Sequence, residues 1–458
     1  MTNVKFFSKY ILGVLVLIIF AVIVINNPNF YLFNSDELQA YSIAKQFGLI
    51  DIIRLMRGQG HPFIWYMVIK PIPFPENSFP LALKWLSFVF SFIALALLWF
   101  KSNFYNWEKI LISSTFPMLM LYPILARPYS MSIMFLFILA ILYKKRLEHP
   151  IWFASLIFIT ANTSLMATVG AITFGLVFLF DLIKTKNKNI IYPILILTAC
   201  ALILIIQWHN PIMPQFETKG MDLTDFLFLK YSHAPEILKY ISIITFPVFL
   251  IVSTLYLRNN PRNLFLFWTN TILLMIIFNF LYKGYDYHHY FFYIYWLISY
   301  WIQLSEVHKE LPKTFVVSFA LITILFNASI RNNSFWFSDY NTYHNDILFL
   351  NNSVPENSTI YTSIFWHEYF YLFKDKMNFS LKSYVDGSDL FNFENNLNIY
   401  NYDYHKLDLE TLVNNAPKDS YLLLNDREIA AQGELTDKRD TFIPCNLIRT
   451  NNYLIKIK

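Results

Sequence analysis

The chain consists of long apolar runs separated by short polar stretches, and these runs restrict it to a membrane fold. Of its 458 residues, 56% are hydrophobic and only 15% are charged, and the mean hydropathy is +0.40. A water-soluble fold could not bury that much apolar surface, whereas a helix that crosses a bilayer needs about 20 mostly apolar residues. The sequence predicts a polytopic all-α membrane bundle of about eleven transmembrane helices, near residues 10–26, 81–100, 110–125, 129–143, 151–162, 165–183, 190–206, 239–257, 264–281, 290–304 and 314–329.

The basic residues predict the orientation of this bundle, because Lys and Arg beside spans are retained on the cytoplasmic side during insertion. They fall in every second loop, so the amino terminus is predicted to be cytoplasmic and the chain after about residue 330 extracytoplasmic. The first span is expected to be retained, since Asn26-Asn27-Pro28-Asn29 lacks a signal-peptide cleavage pattern. Abundant Asn, Lys, Ile and Phe are typical of AT-rich bacterial genomes, which favours a bacterial plasma (inner) membrane. The basic residues concerned are Lys5, Lys9, Lys101, Lys109, Lys144, Lys145, Arg146, Lys184, Lys186, Lys188, Arg258, Arg262, Lys309 and Lys313.

Two domains are predicted along the chain. Residues 1–330 form the membrane bundle with a long first outer loop at 27–80, and residues 331–458 form a small α/β extracytoplasmic domain. This second domain carries 12 Lys and Arg against 17 Asp and Glu, a balance that argues against nucleic acid or anionic lipid as its partner. Cys200 and Cys445 lie in such different environments that no disulfide is expected. The hydrophobic pattern of the domain predicts strands near 359–364, 421–424, 441–448 and 453–457 and helices near 342–352, 366–375 and 406–416.

The first outer loop holds the strongest candidates for catalysis. Asp36 and Glu37 follow the first span directly, and Asn34 stands three residues before Glu37, the spacing of a capping box that begins a helix. The motif Gly60-His61-Pro62 comes later in the same loop. Long ordered loops on one face of a bundle often build a site. Carboxylates held there are suited to proton transfer beside the membrane.

In their order along the chain, these residues resemble the GT-C superfamily of integral-membrane glycosyltransferases, which includes protein O-mannosyltransferases and lipid A aminoarabinose transferases. The resemblance covers roughly the first 330 residues. The chain departs from the family pattern at Ala126, where many members carry an acid, and at His288, where Arg is usual, so a second catalytic carboxylate remains unassigned. The matching segments are Asp36-Glu37, Gly60-His61-Pro62, Lys84, Ala126-Arg127-Pro128-Tyr129 and Lys283-Gly284-Tyr285-Asp286-Tyr287-His288-His289.

The resemblance implies transfer of a sugar from a polyprenyl-phosphate donor to a lipid, protein or polysaccharide acceptor at the outer face of the membrane. Asp36 would be the general base, and Glu37 would orient it or share its role. One in-line displacement would invert the anomeric carbon. Cationic side chains would stabilise the charge that develops on the leaving phosphate. The implied substrate-binding residues are Arg127, Lys84 and Lys283 for phosphate, with His61, Tyr129, His288 and His289 for sugar or phosphate.

Purely structural explanations compete with these roles. Asp36 and Glu37 would also satisfy backbone amides and the dipole at a helix start, and Arg127 or Lys84 at a membrane boundary can extend towards lipid headgroups. With only 10 glycines and no Gly-x-Gly-x-x-Gly motif, a soluble nucleotide-sugar donor is disfavoured. No closely spaced metal-ligand motif occurs among the candidate acids and histidines, so neither a metal nor another cofactor is expected.

Two other classes of function remain open. A transporter or flippase of lipid-linked sugars would place ionisable groups near the middle of the membrane. The predicted spans carry almost no charge apart from Asp181 near a cytoplasmic end. A glycan polymerase or ligase would usually carry its long functional loop late in the chain, whereas the longest loop here follows the first span.

Overall fold

The computed structural model of the chain describes residues 2–55, 61–73, 75, 78–185, 190–208, 236–281, 284, 286–307, 312–330, 340–362, 371–383, 419–425, 443–447 and 450–456. Within these residues the protein is mostly helical, with one small sheet. The helices are α1 Thr2–Ile25, α2 Ser35–Gln46, α3 Leu49–Leu55, α4 Ile64–Ile69, α5 Ala82–Lys101, α6 Asn106–Ser113, α7 Tyr129–Leu142, α8 Pro150–Ala161, α9 Leu165–Thr185, α10 Ile191–Trp208, α11 Glu236–Leu257, α12 Pro261–Ile276, α13 Asp286–Val307, α14 Lys313–Ile330 and α15 Tyr340–Ser353.

Long apolar helices indicate a membrane protein, in agreement with the composition. Within the described residues, four helices are long and apolar enough to cross a bilayer. The predicted number of about eleven spans is therefore not confirmed. The four are Ala82–Lys101, Leu165–Thr185, Lys239–Leu257 and Pro261–Phe280, and shorter apolar stretches within other helices include Tyr10–Ile25 of α1, Pro150–Ala161 of α8, Ile191–Gln207 of α10 and Lys313–Leu325 of α14.

Two of the predicted spans contain a wide helical turn, and the first of them is also interrupted. In the segment predicted at 110–125, α6 ends at Ser113 and a wider helical turn covers Pro117–Leu121. Pro117 has no amide hydrogen to continue the α-helical ladder, and the Tyr122 amide instead donates to the Pro117 carbonyl at 2.9 Å. In the segment predicted at 264–281, α12 ends at Ile276 and a second wide turn covers Ile277–Leu281. Apolar composition marks such segments but does not reveal where their helices break.

The helices pack around a large apolar core that is rich in aromatic side chains. At the end of the bundle that carries Arg146, here called the inner end, buried Asp181 accepts hydrogen bonds from two arginines. Arg146 Nη2 lies 2.7 Å from Asp181 Oδ2, and Arg262 Nε lies 2.7 Å from Asp181 Oδ1. Because both oxygens of the carboxylate are paired, the acid links α9 to the chain after α7 and to the start of α12 at little electrostatic cost.

The carboxy-terminal part forms a five-stranded sheet with the order β2-β1-β3-β5-β4. β1 runs parallel to β2 and β3, while β5 runs antiparallel to β3 and β4. The strands β1, β3, β4 and β5 lie at or within two or three residues of the predicted segments, whereas β2 was not predicted. The helix α15 matches the helix predicted at 342–352. The helix predicted at 406–416 lies outside the described residues, and the described part of 366–375 belongs to a short 3₁₀ helix, Tyr371–Lys376. The strands are β1 Thr359–Thr362, β2 Ser380–Ser383, β3 Tyr421–Asn425, β4 Ile443–Leu447 and β5 Thr450–Lys456.

A second apolar core joins this sheet domain to the first outer loop. The ring of Phe79, just before α5, lies 5.3 Å from that of Tyr343 and 6.3 Å from that of Phe373. Phe33, just before α2, packs against Phe79 with ring centroids 5.3 Å apart. The sheet domain therefore lies at the end of the bundle that carries Asp36, here called the outer end.

Candidate functional site

The two adjacent acids lie in the first turn of α2, as their spacing predicts. The Asn34 side chain accepts a hydrogen bond from the Glu37 amide at 2.9 Å, and the Glu37 carboxylate accepts one from the Asn34 amide at 2.9 Å. The predicted capping box is therefore confirmed. It fixes the start of α2 and hence the directions of both acidic side chains.

Glu37 points into the protein and forms a buried ion pair. Its two carboxylate oxygens lie 2.6 Å and 2.7 Å from Lys84 Nζ, and neither side chain has any exposed surface. The carboxylate also accepts a hydrogen bond from the Ala126 amide at 2.5 Å. Glu37 thereby connects α2, α5 and the loop before α7. A substrate approaching from outside would meet neither Glu37 nor Lys84.

Asp36 points the other way, and half of its side-chain surface is exposed. Arg127 Nη1 donates to the Asp36 backbone carbonyl at 3.0 Å and lies 3.5 Å from its carboxylate Oδ2. Burial opposes the charge on Arg127, but the Asp36 carboxylate and the neighbouring tyrosines raise the pKa of Arg127 above its ordinary value. The arrangement presents an accessible carboxylate beside a permanently charged guanidinium.

His61 completes the arrangement on the other side of Arg127. The Arg127 Nη2 atom contacts His61 Nε2, and the His61 ring packs edge-on against Tyr129 with centroids 5.4 Å apart. Tyr129, the first residue of α7, makes a 2.7 Å hydrogen bond between its hydroxyl and His288 Nε2. The structure thus brings together four of the predicted substrate-binding or catalytic residues around Asp36, from three separate parts of the chain.

The remaining predicted residues are distributed differently. His289 lies on α13 beside His288, and its ring packs edge-on against Phe278 with centroids 4.6 Å apart. Gly284 has a φ of +71° and lies against both of these rings. A Cβ at this position would be 3.3 Å from His289 Nε2 and 2.9 Å from the Phe278 ring, so only glycine allows the chain to pass this close to them. Lys283 lies outside the described residues, as does Gly60.

Three further tyrosines, to which the sequence analysis assigns no role, surround the same cluster. The Tyr122 hydroxyl donates to the Tyr287 carbonyl at 2.6 Å, and the Tyr287 ring lies 5.3 Å from that of Tyr129. Tyr66 on α4 is buried, and burial raises its pKa, with Arg127 acting against that shift and Asp36 adding to it. Tyr66 therefore stays a neutral phenol at pH 7. Among 30 tyrosines, Tyr287 stands out only because it belongs to the quoted segment that carries His288, and no local signal distinguishes Tyr122.

Within the part of the chain that the structure describes, no group of three or more His, Cys, Asp and Glu side chains is close enough together to hold a metal ion. The chain matches no protein-family model and no curated protein.

Proposed function

We propose that the protein is a membrane glycosyltransferase of the GT-C kind, which moves a sugar from a polyprenyl-phosphate donor to an acceptor at the outer face of the membrane. The observation that supports it most is the half-exposed Asp36 carboxylate beside Arg127 and His61. A base, a fixed cation and hydrogen-bonding rings are the groups that sugar transfer from a phosphate requires. They lie at the outer end, which the proposed topology would put at the level of a lipid-linked phosphate.

The proposed reaction is a single displacement. Asp36 accepts the proton of the acceptor hydroxyl as that oxygen forms a bond to the anomeric carbon. The bond between the anomeric carbon and the phosphate oxygen breaks, and polyprenyl phosphate leaves with the electron pair. Attack from the side opposite the leaving group inverts the configuration of the anomeric carbon.

Arg127 is the proposed phosphate partner, because a guanidinium is always charged and can bind two phosphate oxygens at once. Lys283 is proposed to add a second charge from its loop. His61, Tyr129 and His288 are proposed to bind sugar or phosphate through their ring nitrogens and hydroxyl. Glu37 and Lys84 take a positioning role in this proposal, since their buried pair holds the Ala126 amide next to Arg127.

The proposed setting follows the charge pattern of the chain. About eleven spans, a cytoplasmic amino terminus and an extracytoplasmic sheet domain would put Asp36 on the outer face of a bacterial plasma membrane. The basic residues of the inner end, Arg146 and Arg262, would then face the cytoplasm.

The test is sugar transfer by purified protein in liposomes, with radiolabelled decaprenyl-phosphate sugars as donors and a cell-envelope extract as acceptor. Asp36→Asn is expected to lower the rate by roughly 10²–10⁴-fold, the usual contribution of a general base. Asp51→Asn, which changes an exposed acid of the same outer loop, is the matched control and should keep wild-type activity. Label that crosses the bilayer without release of decaprenyl phosphate would indicate a transporter and contradict the proposal, as would full activity of Asp36→Asn.

A further inference from the structure

The turn between α8 and α9 is polar and completely buried. Asn162, Thr163 and Ser164 form it at the outer end, and none of the three has exposed surface. Buried polar groups in a membrane protein are costly unless they are hydrogen-bonded, and apolar residues would fill such a place more cheaply. The partners of these three side chains therefore indicate what the turn is for.

One set of partners belongs to the segment that carries His61. The Asn162 carbonyl accepts a hydrogen bond from the Ile64 amide at 3.2 Å. Gln207, near the end of α10, accepts one from the Phe63 amide at 3.1 Å and donates to Asn162 Oδ1 at 3.0 Å. Amides at the start of a helix lack acceptors within that helix. The turn and Gln207 supply them and so fix the chain directly after His61.

The other set of partners belongs to the start of α7. The Ser132 hydroxyl lies 2.9 Å from that of Thr163 and 2.8 Å from that of Ser164. It also lies 2.9 Å from the Pro128 carbonyl, to which it donates. Pro128 stands between Arg127 and Tyr129. The same turn therefore holds the segment that carries these two residues.

We propose that Asn162, Thr163 and Ser164, together with Gln207 and Ser132, act as a positioning hub that keeps His61 in contact with Arg127. The hub joins two segments that are far apart in the chain and that meet at the candidate site. Reacting groups must be held to within a fraction of an ångström for efficient transfer, and hydrogen-bonded supporting residues provide that rigidity. The hub geometry stands by itself, but its role in catalysis rests on the proposed glycosyltransferase function.

Hydrogen–deuterium exchange of the full-length protein in detergent tests the hub directly. Gln207→Leu removes the acceptor of the Phe63 amide and is expected to speed exchange in residues 61–69 by roughly tenfold or more. Ser132→Ala is a milder second variant, expected to speed exchange in residues 126–131. Gln303→Leu is the matched control, because Gln303 is another buried glutamine, on α13, that bonds Asn263. It should leave exchange in residues 61–69 at the wild-type rate.

The hub would be overturned if residues 61–69 exchanged at the wild-type rate in the Gln207→Leu variant. It would also be overturned if the Gln303→Leu variant accelerated exchange in these residues equally. Sugar transfer in the same preparations tests the consequence. Gln207→Leu is expected to lower the turnover rate at saturating donor by about tenfold, whereas Gln303→Leu should leave it unchanged. Faster exchange in Gln207→Leu with an unchanged turnover rate would overturn the positioning role. A wild-type protein that transfers no sugar would overturn the proposed function while leaving the exchange result valid.

Discussion

Two adjacent acids have opposite environments because successive residues of a helix point about 100° apart, as 3.6 residues make a turn. Glu37 turns into the protein, where Lys84 and the Ala126 amide satisfy it. Asp36 turns outward to Arg127 and remains half exposed. At this scale the sequence predicts the pair of acids and their capping box, but the partner of each depends on contacts with residues more than 40 positions away.

The Glu37–Lys84 pair gives the first prediction at the residue scale. Glu37→Gln keeps an acceptor for the Asn34 amide but leaves the Lys84 charge buried without its counter-ion. Removing one partner of a buried pair costs about 3–5 kcal/mol, whereas Glu37→Gln combined with Lys84→Met should recover much of that loss. Thermal unfolding in detergent measures the difference between the single and the double variant.

The exposed pair Glu236–Lys239, with atoms 3.2 Å apart, serves as the matched control. Glu236→Gln, alone or combined with Lys239→Met, should change the free energy of unfolding by no more than about 1 kcal/mol, because water screens exposed pairs. A single Glu37→Gln variant as stable as the wild type would show that the buried pair is not ionised.

At the scale of helices, α9 and α13 meet at a glycine. The Tyr295 hydroxyl accepts a hydrogen bond from the Gly170 amide at 2.9 Å and donates to the Met166 carbonyl. A Cβ at position 170 would lie 2.6 Å from Tyr295 Cε1 and 2.8 Å from its hydroxyl oxygen. The two helices therefore approach this closely only because residue 170 has no side chain.

Gly170→Ala is expected to destabilise the protein by about 1–3 kcal/mol, since the added methyl group forces α9 and α13 apart. Gly175→Ala, one and a half turns further along α9, is the control, because the nearest atom to its Cβ would be 3.9 Å away. Removing that glycine should be neutral or stabilise the helix by about 0.5–1 kcal/mol. Equal melting temperatures of the two variants would contradict this account of the packing.

The elements that the sequence predicts well are those with a strong local signal. Long apolar runs mark the helices, and short apolar or β-branched runs mark β1 and β3 to β5, whereas β2 is short and polar and was not predicted. The break before Pro117 follows from a residue that has no amide hydrogen, and hydropathy does not register that signal, so hydropathy alone merges α6 with the following turn. The hub residues Asn162 and Gln207 could have been noticed as polar residues at the ends of apolar segments, but their common partner, the chain after His61, is visible only in the fold.

At the scale of the whole molecule, the second apolar core decides which end of the bundle carries the sheet domain. Phe79 packs against Tyr343 and Phe373, so the domain covers the end that holds Asp36. The inner end carries Lys144 and Arg146 after α7. These two ends should face opposite sides of the membrane, and the charge pattern predicts that the sheet domain lies outside.

Cysteine labelling in intact cells tests this orientation. After Cys200→Ser and Cys445→Ser, the Glu356→Cys variant places a thiol at an exposed position of the sheet domain, and Lys144→Cys places one at an exposed position of the inner end. A membrane-impermeant maleimide is expected to label the first variant in intact cells and the second only after permeabilisation, because the bilayer excludes the reagent from the cytoplasm. Labelling of both variants after permeabilisation shows that both thiols are accessible. Labelling in the reverse order would place Asp36 on the cytoplasmic side and exclude an outer-face lipid-linked donor for this site.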